Sequence, residues 1–220
     1  MALGLNLSSG GGEGFGNIIP ILKFDARAGR LSRRDYANGE YVTVDVTRTF
    51  KAIIDLENIE VGFINFSSGG APDFSVVKHG EKMPAAPTPE HKPGVRFLLK
   101  LSKDCGGDLR EFASTAKACL RGIDDLHTAY LKDAAANAGK LPVVVLKDTI
   151  PVTTGEGARK STNYTPVFEI TGWVPRPADL VYTPKARLET QAFASNSPPA
   201  TGSTQAAPPA AVSDSADDFG

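Results

Sequence analysis

The chain is poor in cysteine, histidine and long apolar runs, and each shortage closes a route. Two cysteines among 220 residues, Cys105 and Cys119, cannot make a disulfide framework, and they fall in segments read as loop and helix. Both are expected to be reduced thiols, the ordinary state in a cytoplasmic protein. The three histidines, His79, His91 and His127, stand at no zinc spacing with the cysteines, so no metal site is expected. No apolar run approaches the roughly 18 residues a membrane span needs. The opening Met1-Ala-Leu-Gly-Leu-Asn-Leu7 has neither the basic flank nor the apolar stretch of a secretion signal. A location in the cytoplasm, with no membrane partner, is the expectation.

Basic residues are missing altogether after Arg187. All 24 lysines and arginines precede Leu188, together with 21 of the 25 acids. The net charge of −1 therefore divides into a body of about +3 and a remainder of about −4, carried by Glu189, Asp214, Asp217 and Asp218. That asymmetry suggests a polyanion-binding body with an acidic appendage.

Enzyme signatures are absent too. The glycines of residues 8–16 fit no G-x-G-x-x-G register, and no strand precedes them. Gly155-Glu-Gly-Ala-Arg-Lys-Ser161 looks like a phosphate loop, but Arg159 stands where the second glycine belongs, and a strand follows where a helix dipole is needed. Asp124 and Asp125 are adjacent on a helix and diverge, so they make no acid–base pair. Binding without catalysis or cofactor is the expectation.

What is present is β-rich. Ile18 to Asp25 reads as a strand, followed by a basic turn from Arg27 to Arg34. Tyr41 to Leu56 reads as a long β run because Val42, Val44 and Val46 alternate with Thr43, Asp45 and Thr47. Val61 to Phe66 is a short strand. Residues 67–94, rich in glycine and proline, read as a long loop. Val95 to Leu101, Val143 to Ile150 and Tyr164 to Val174 complete the strands, with a polar hairpin loop at 154–163. A helical segment is predicted over about 108–139, capped by Asp108, with Leu109, Phe112, Ala116 and Leu120 at helical spacing. Gly122 is expected to divide it, and Gly139 to end it. Strands, then a helix, then a last pair of strands suit a small β-barrel like the oligonucleotide-binding (OB) fold. The organisation is then a glycine-rich leader over 1–17, a barrel domain over 18–188 and a tail over 189–220. The tail's alanine, serine, threonine, glycine and proline cannot bury enough surface to order it.

Basic and aromatic residues coincide in two hairpin regions. Lys23, Phe24, Arg27, Arg30, Arg33, Arg34, Tyr36 and Tyr41 crowd the first; Arg159, Lys160 and Tyr164 the second, with Trp173 further along the same strand. Cations that follow a backbone and aromatics that stack on bases are what sequence-independent single-strand binding requires. Barrel cores need large aromatics as well, so Trp173 is expected to lean to the core and Tyr164 to stacking. The tail ends Asp217-Asp218-Phe219-Gly220, an acidic tip with an apolar anchor suited to recruiting another protein.

Val95-Arg-Phe-Leu-Leu-Lys100, Leu109-Arg-Glu-Phe-Ala-Ser-Thr-Ala-Lys117, Lys140-Leu-Pro-Val-Val144 and Asn163-Tyr-Thr-Pro-Val-Phe-Glu-Ile-Thr-Gly-Trp-Val174 are similar to segments of bacteriophage single-stranded-DNA-binding proteins. The resemblance covers roughly residues 18–180. It implies a protein that coats single strands in phage replication, recombination or repair inside the bacterial host. The terminus separately resembles the tails by which such proteins recruit replication and recombination proteins, although here Gly220 follows the phenylalanine and the acids are few. Self-association is compatible with this reading. The alternative is a phage structural or assembly protein with a β-rich interaction domain.

Overall fold

The computed structural model describes residues 19–37, 39–67 and 72–185. The expected leader and tail, and with them Asp217, Asp218 and Phe219, lie outside these residues.

The described residues form ten strands and one α-helix: β1 (Ile21–Asp25), β2 (Arg30–Ala37), β3 (Glu40–Asp45), β4 (Lys51–Ile54), β5 (Glu60–Asn65), β6 (Asp73–Lys78), β7 (Lys92–Leu101), β8 (Leu109–Ser114), α1 (Lys117–Asp133), β9 (Lys140–Thr154) and β10 (Ser161–Pro175). All belong to one mixed sheet in the order β10-β9-β4-β7-β8-β1-β2-β3, with β5 pairing both β6 and β7. β1 runs parallel to β8; the other ladders are antiparallel. The β-rich expectation holds in this form, but the ladder is not closed: β10 and β3 end it without pairing each other.

Alternation builds the core. Leu22 and Phe24 of β1, Leu31 of β2, Phe97 and Leu99 of β7 and Phe112 of β8 turn inward, and Phe97 stacks on Phe112 at 4.9 Å. Helix α1 adds Cys119, Ile123 and Leu126 to the same cluster. A Cβ on Gly122 would collide with the carbonyl oxygen of Pro166, so glycine here is what allows α1 to lie close on β10. Gly122 therefore does not divide the helix as expected. Both cysteines are buried and unpaired.

The expected helix over 108–139 is corrected at its start. Leu109–Ser114 is strand β8, paired with β7 and β1, and α1 begins only at Lys117. The helical spacing of Leu109, Phe112, Ala116 and Leu120 does not hold, because Arg110 and Glu111, which such a helix would leave in solvent, turn into the protein. Both are buried. Arg110 is held by Asp35 and Asp108, and Glu111 by Arg96 and Lys185. Two further expectations change. The loop over 67–94 contains β6 and the start of β7. The run from Tyr41 to Leu56 breaks into β3 and β4, because Thr47 turns the chain by donating its N–H to the Asp45 carboxylate at 2.9 Å.

A strap over residues 176–185 crosses the outer face of β7 and β8. Arg176 is bidentate to Asp55, Lys100 pairs with Asp179 at 2.6 Å, and Leu180 is fully buried against Leu98 and Leu141. Beyond it, the Tyr182 hydroxyl donates to Glu60, and Lys185 pairs with Glu111. No helix among the described residues is long and apolar enough to cross a membrane.

Candidate nucleic-acid interface

The β1–β2–β3 meander has one face on the core, and its other face carries the site. The register sets Lys23 against Ser32, Asp25 against Arg30, Arg34 against Thr43 and Tyr36 against Tyr41. Because side chains alternate, Lys23, Arg30, Arg34, Tyr36 and Tyr41 share the solvent side. Tyr36 and Tyr41 are 68% and 64% exposed, and their rings meet edge to face at 5.0 Å. The Arg34 guanidinium lies 4.2 Å from the centre of the Tyr41 ring. The cation fixes one tyrosine, which in turn braces the other. These three side chains, with Ile21 and Pro72, line an open groove of about 880 Å³.

The second basic loop is brought against the first. Arg159 and Lys160 are exposed at the tip of the long β9–β10 hairpin. Close to that tip the Tyr164 N–H donates to the Ala26 carbonyl at 2.6 Å. The Tyr164 ring packs over Gly29, whose φ of +65° makes the turn that carries Arg27 and Arg30. The Asp25 carboxylate holds that turn by accepting the N–H groups of Arg27 and Ala28. These bonds, the Arg27 one first, keep the Asp25 carboxyl below its usual range.

Beside the turn lies a smaller groove formed by Arg30, Asp45, Thr47, Arg48 and Thr49. Arg48 is exposed there, and the sequence reading passed over it. In the sequence it is a lone cation in a β run, and only the turn at Thr47 sets it beside Arg30. Asp45 accepts from Arg30 at 3.1 Å. The Thr47 side chain and N–H, and then Arg30, hold its carboxyl low. The face therefore carries fixed acids among its cations.

Not every candidate joins the site. Phe24 is 6% exposed and belongs to the core, so it offers no stacking face. Arg33 turns to the other side of β2, where its guanidinium donates to the Cys105 carbonyl at 2.8 Å and pairs with Asp35, so it reaches the groove only as part of its paired wall. Trp173 packs against Tyr130 of α1 at 5.6 Å and against the core. Tyr164, expected to stack on bases, is half-buried as the anchor of the hairpin.

The remaining titratable clusters lie outside the β1–β2–β3 face. Arg96 is buried between Glu60 and Glu111. His79 and His127 meet at 4.7 Å, and burial, then His79, lowers the His127 pKa. Among the described residues no three His, Cys, Asp or Glu side chains gather as a metal would need. Comparison with models of known families, with curated proteins and with solved structures gave no match.

Proposed function

We propose that this chain is a sequence-nonspecific single-stranded-DNA-binding protein. It coats exposed strands in phage replication, recombination or repair within a bacterial cell, and it recruits partners through Asp217, Asp218 and Phe219. The observation that carries the reading is the exposed Tyr36–Tyr41 pair under Arg34, in an open groove at one end of β2, with the two basic loops meeting at the strand's other end. Two fixed aromatic faces offer stacking to any base, and the surrounding cations offer contacts to phosphates in any sequence. Nothing in that chemistry needs a nucleotide cofactor or a metal.

Connectivity also supports it. A strand formed by β4 and β5, then β7, β8, α1, β9 and β10, with β4 paired to β9, follows the order of an OB barrel. In that order the β9–β10 loop carrying Arg159 and Lys160 corresponds to the last binding loop of the fold. β1 then lies beside β8, where a closing strand would stand, and the Tyr164–Ala26 bond links it to β10.

The test is a binding titration with oligo(dT) against duplex of equal length, using the wild type and Tyr36→Ala/Tyr41→Ala. Strong preference for the single strand, weakened by about 1–3 kcal/mol per stacked base removed, supports the reading. A phage structural or assembly protein would bind neither ligand, and that result would reject it.

A further inference from the structure

We propose that β3 is a self-association edge, and that two copies of the chain pair antiparallel through Tyr41–Asp45 about a twofold axis at Thr43. The inference rests on the edge itself and not on the nucleic-acid reading.

β3 ends the sheet and pairs only with β2. Val46 donates its N–H to Leu31, which fixes the phase of that ladder. Residues 40, 42 and 44 thus turn their backbone groups towards β2, and Tyr41, Thr43 and Asp45 turn theirs outward. Among the described residues those outward N–H groups have no partner. Natural edges are blunted by proline, charged side chains (lysine above all), bulges or a covering element. The other end of the sheet has such devices: β10 contains Pro166 and two register irregularities, and α1 packs on it. The centre of β6, also an outer strand, is buried. β3 has no proline, no lysine and no bulge; its charges, Glu40 and Asp45, stand at its two ends, Tyr41–Val44 between them is uncharged, and Val42 is 47% exposed.

The occupant is a second copy because the edge complements itself. With Thr43 opposite the partner's Thr43, Tyr41 faces the partner's Asp45, and Val42 faces the partner's Val44. The three outward-facing residues then meet their counterparts as hydrogen-bonded pairs, and the exposed Val42 covers the partner's half-buried Val44. Glu40 and Asp45, the acids of the strand, do not meet. A one-residue slip would bring Glu40 opposite the partner's Asp45 and set inward-turned backbone groups against the partner. In the proposed register the two Tyr36–Tyr41 pairs lie on one face of the joined sheet.

The test is register-specific crosslinking with sedimentation. Hydrogen-bonded antiparallel partners have Cα atoms about 5.5 Å apart, within disulfide reach. Cys105 and Cys119 are buried and do not compete. Thr43→Cys should therefore form a covalent dimer under mild oxidation, whereas Val42→Cys should not, because Val42 does not face its own copy. Sedimentation should show a dimer for the wild type, and Val42→Lys should raise its dissociation constant at least tenfold without lowering the melting temperature. A wild type that stays monomeric overturns the proposal. So does a dimer that Val42→Lys leaves intact, or one that Val42→Cys traps and Thr43→Cys does not.

Discussion

The backbone N–H of Tyr164 donates to the carbonyl of Ala26 at 2.6 Å, and so joins two basic loops that are far apart in the chain. The junction depends on a glycine. Gly29 has φ +65°, and a Cβ there would come within 2.9 Å of the Tyr164 ring. Gly29→Ala should therefore cost about 2 kcal/mol, combining left-handed strain with crowding of the ring. Denaturant unfolding would measure it. A loss below a few tenths of a kcal/mol would show that the loops are not locked together here.

The neighbouring arginines of β2 should separate cleanly. Arg34 is exposed over Tyr41, and Arg33 is bonded to the Cys105 carbonyl. Arg34→Ala should leave stability nearly unchanged and flatten the salt dependence of oligo(dT) binding by about 0.7 in log K against log salt for each phosphate it neutralises. Arg33→Ala should lower stability, because it leaves a buried carbonyl without its donor. Equal effects of the two changes on stability would contradict this division.

Trp173 is the chain's one tryptophan and faces Tyr130 across the α1–β10 contact. Its fluorescence should hardly change when oligo(dT) binds, and Trp173→Ala should cost about 3 kcal/mol of folding stability. Strong quenching by the oligonucleotide would put Trp173 in the interface instead.

Much of the architecture was legible in periodicity. The strands around Leu22, Val95 and Val143, the hairpin loop at Arg159 and the lean of Trp173 to the core follow from alternation and turn residues. The helix start was not legible, because Arg110 and Glu111 are charged in the sequence but internally neutralised in the fold. Within the site, Tyr36 and Tyr41 stood out as aromatics near cations. Their union with Arg34 depends on the β2–β3 register, which composition does not reveal. Phe24 was drawn into the site by proximity in the sequence, yet strand alternation sends it to the core, and the same alternation turns Arg33 into a pair with Asp35 in the groove wall.

Arg96 tests the buried network. It is 2% exposed and bonded to Glu60 and Glu111, themselves buried. Arg96→Met should cost about 3–5 kcal/mol, because it leaves two buried carboxylates with only Lys185 and the Tyr182 hydroxyl as side-chain partners. Adding Glu60→Gln and Glu111→Gln should restore part of the loss, since the uncompensated charge is then gone. Chemical denaturation of the single and triple variants gives the comparison. A triple variant less stable than the single would show that the charged glutamates gain more from Tyr182 and Lys185 than they lose by burial.

The strap should loosen in alkali, and Tyr182 gives the sign. Burial, followed by its hydrogen bond to Glu60, pushes the Tyr182 hydroxyl from 10.0 up to about 12. The neutral phenol is the form that donates to Glu60, so the folded state holds this proton more tightly than the unfolded chain. The stabilisation is fully present below about pH 10, the unfolded value, and is lost as pH rises towards 12. Tyr182→Phe removes the bond, so it should lower stability at neutral pH and flatten the decline between those two values. Arg176, Lys100 and Lys185 should keep the strap seated in the variant at neutral pH, leaving the rest of the fold unchanged. Ultraviolet difference titration of wild type and variant, beside denaturant melts at stepped pH, reads both effects. If the variant loses stability with alkali as steeply as the wild type, the proton on Tyr182 is not what holds the strap to Glu60.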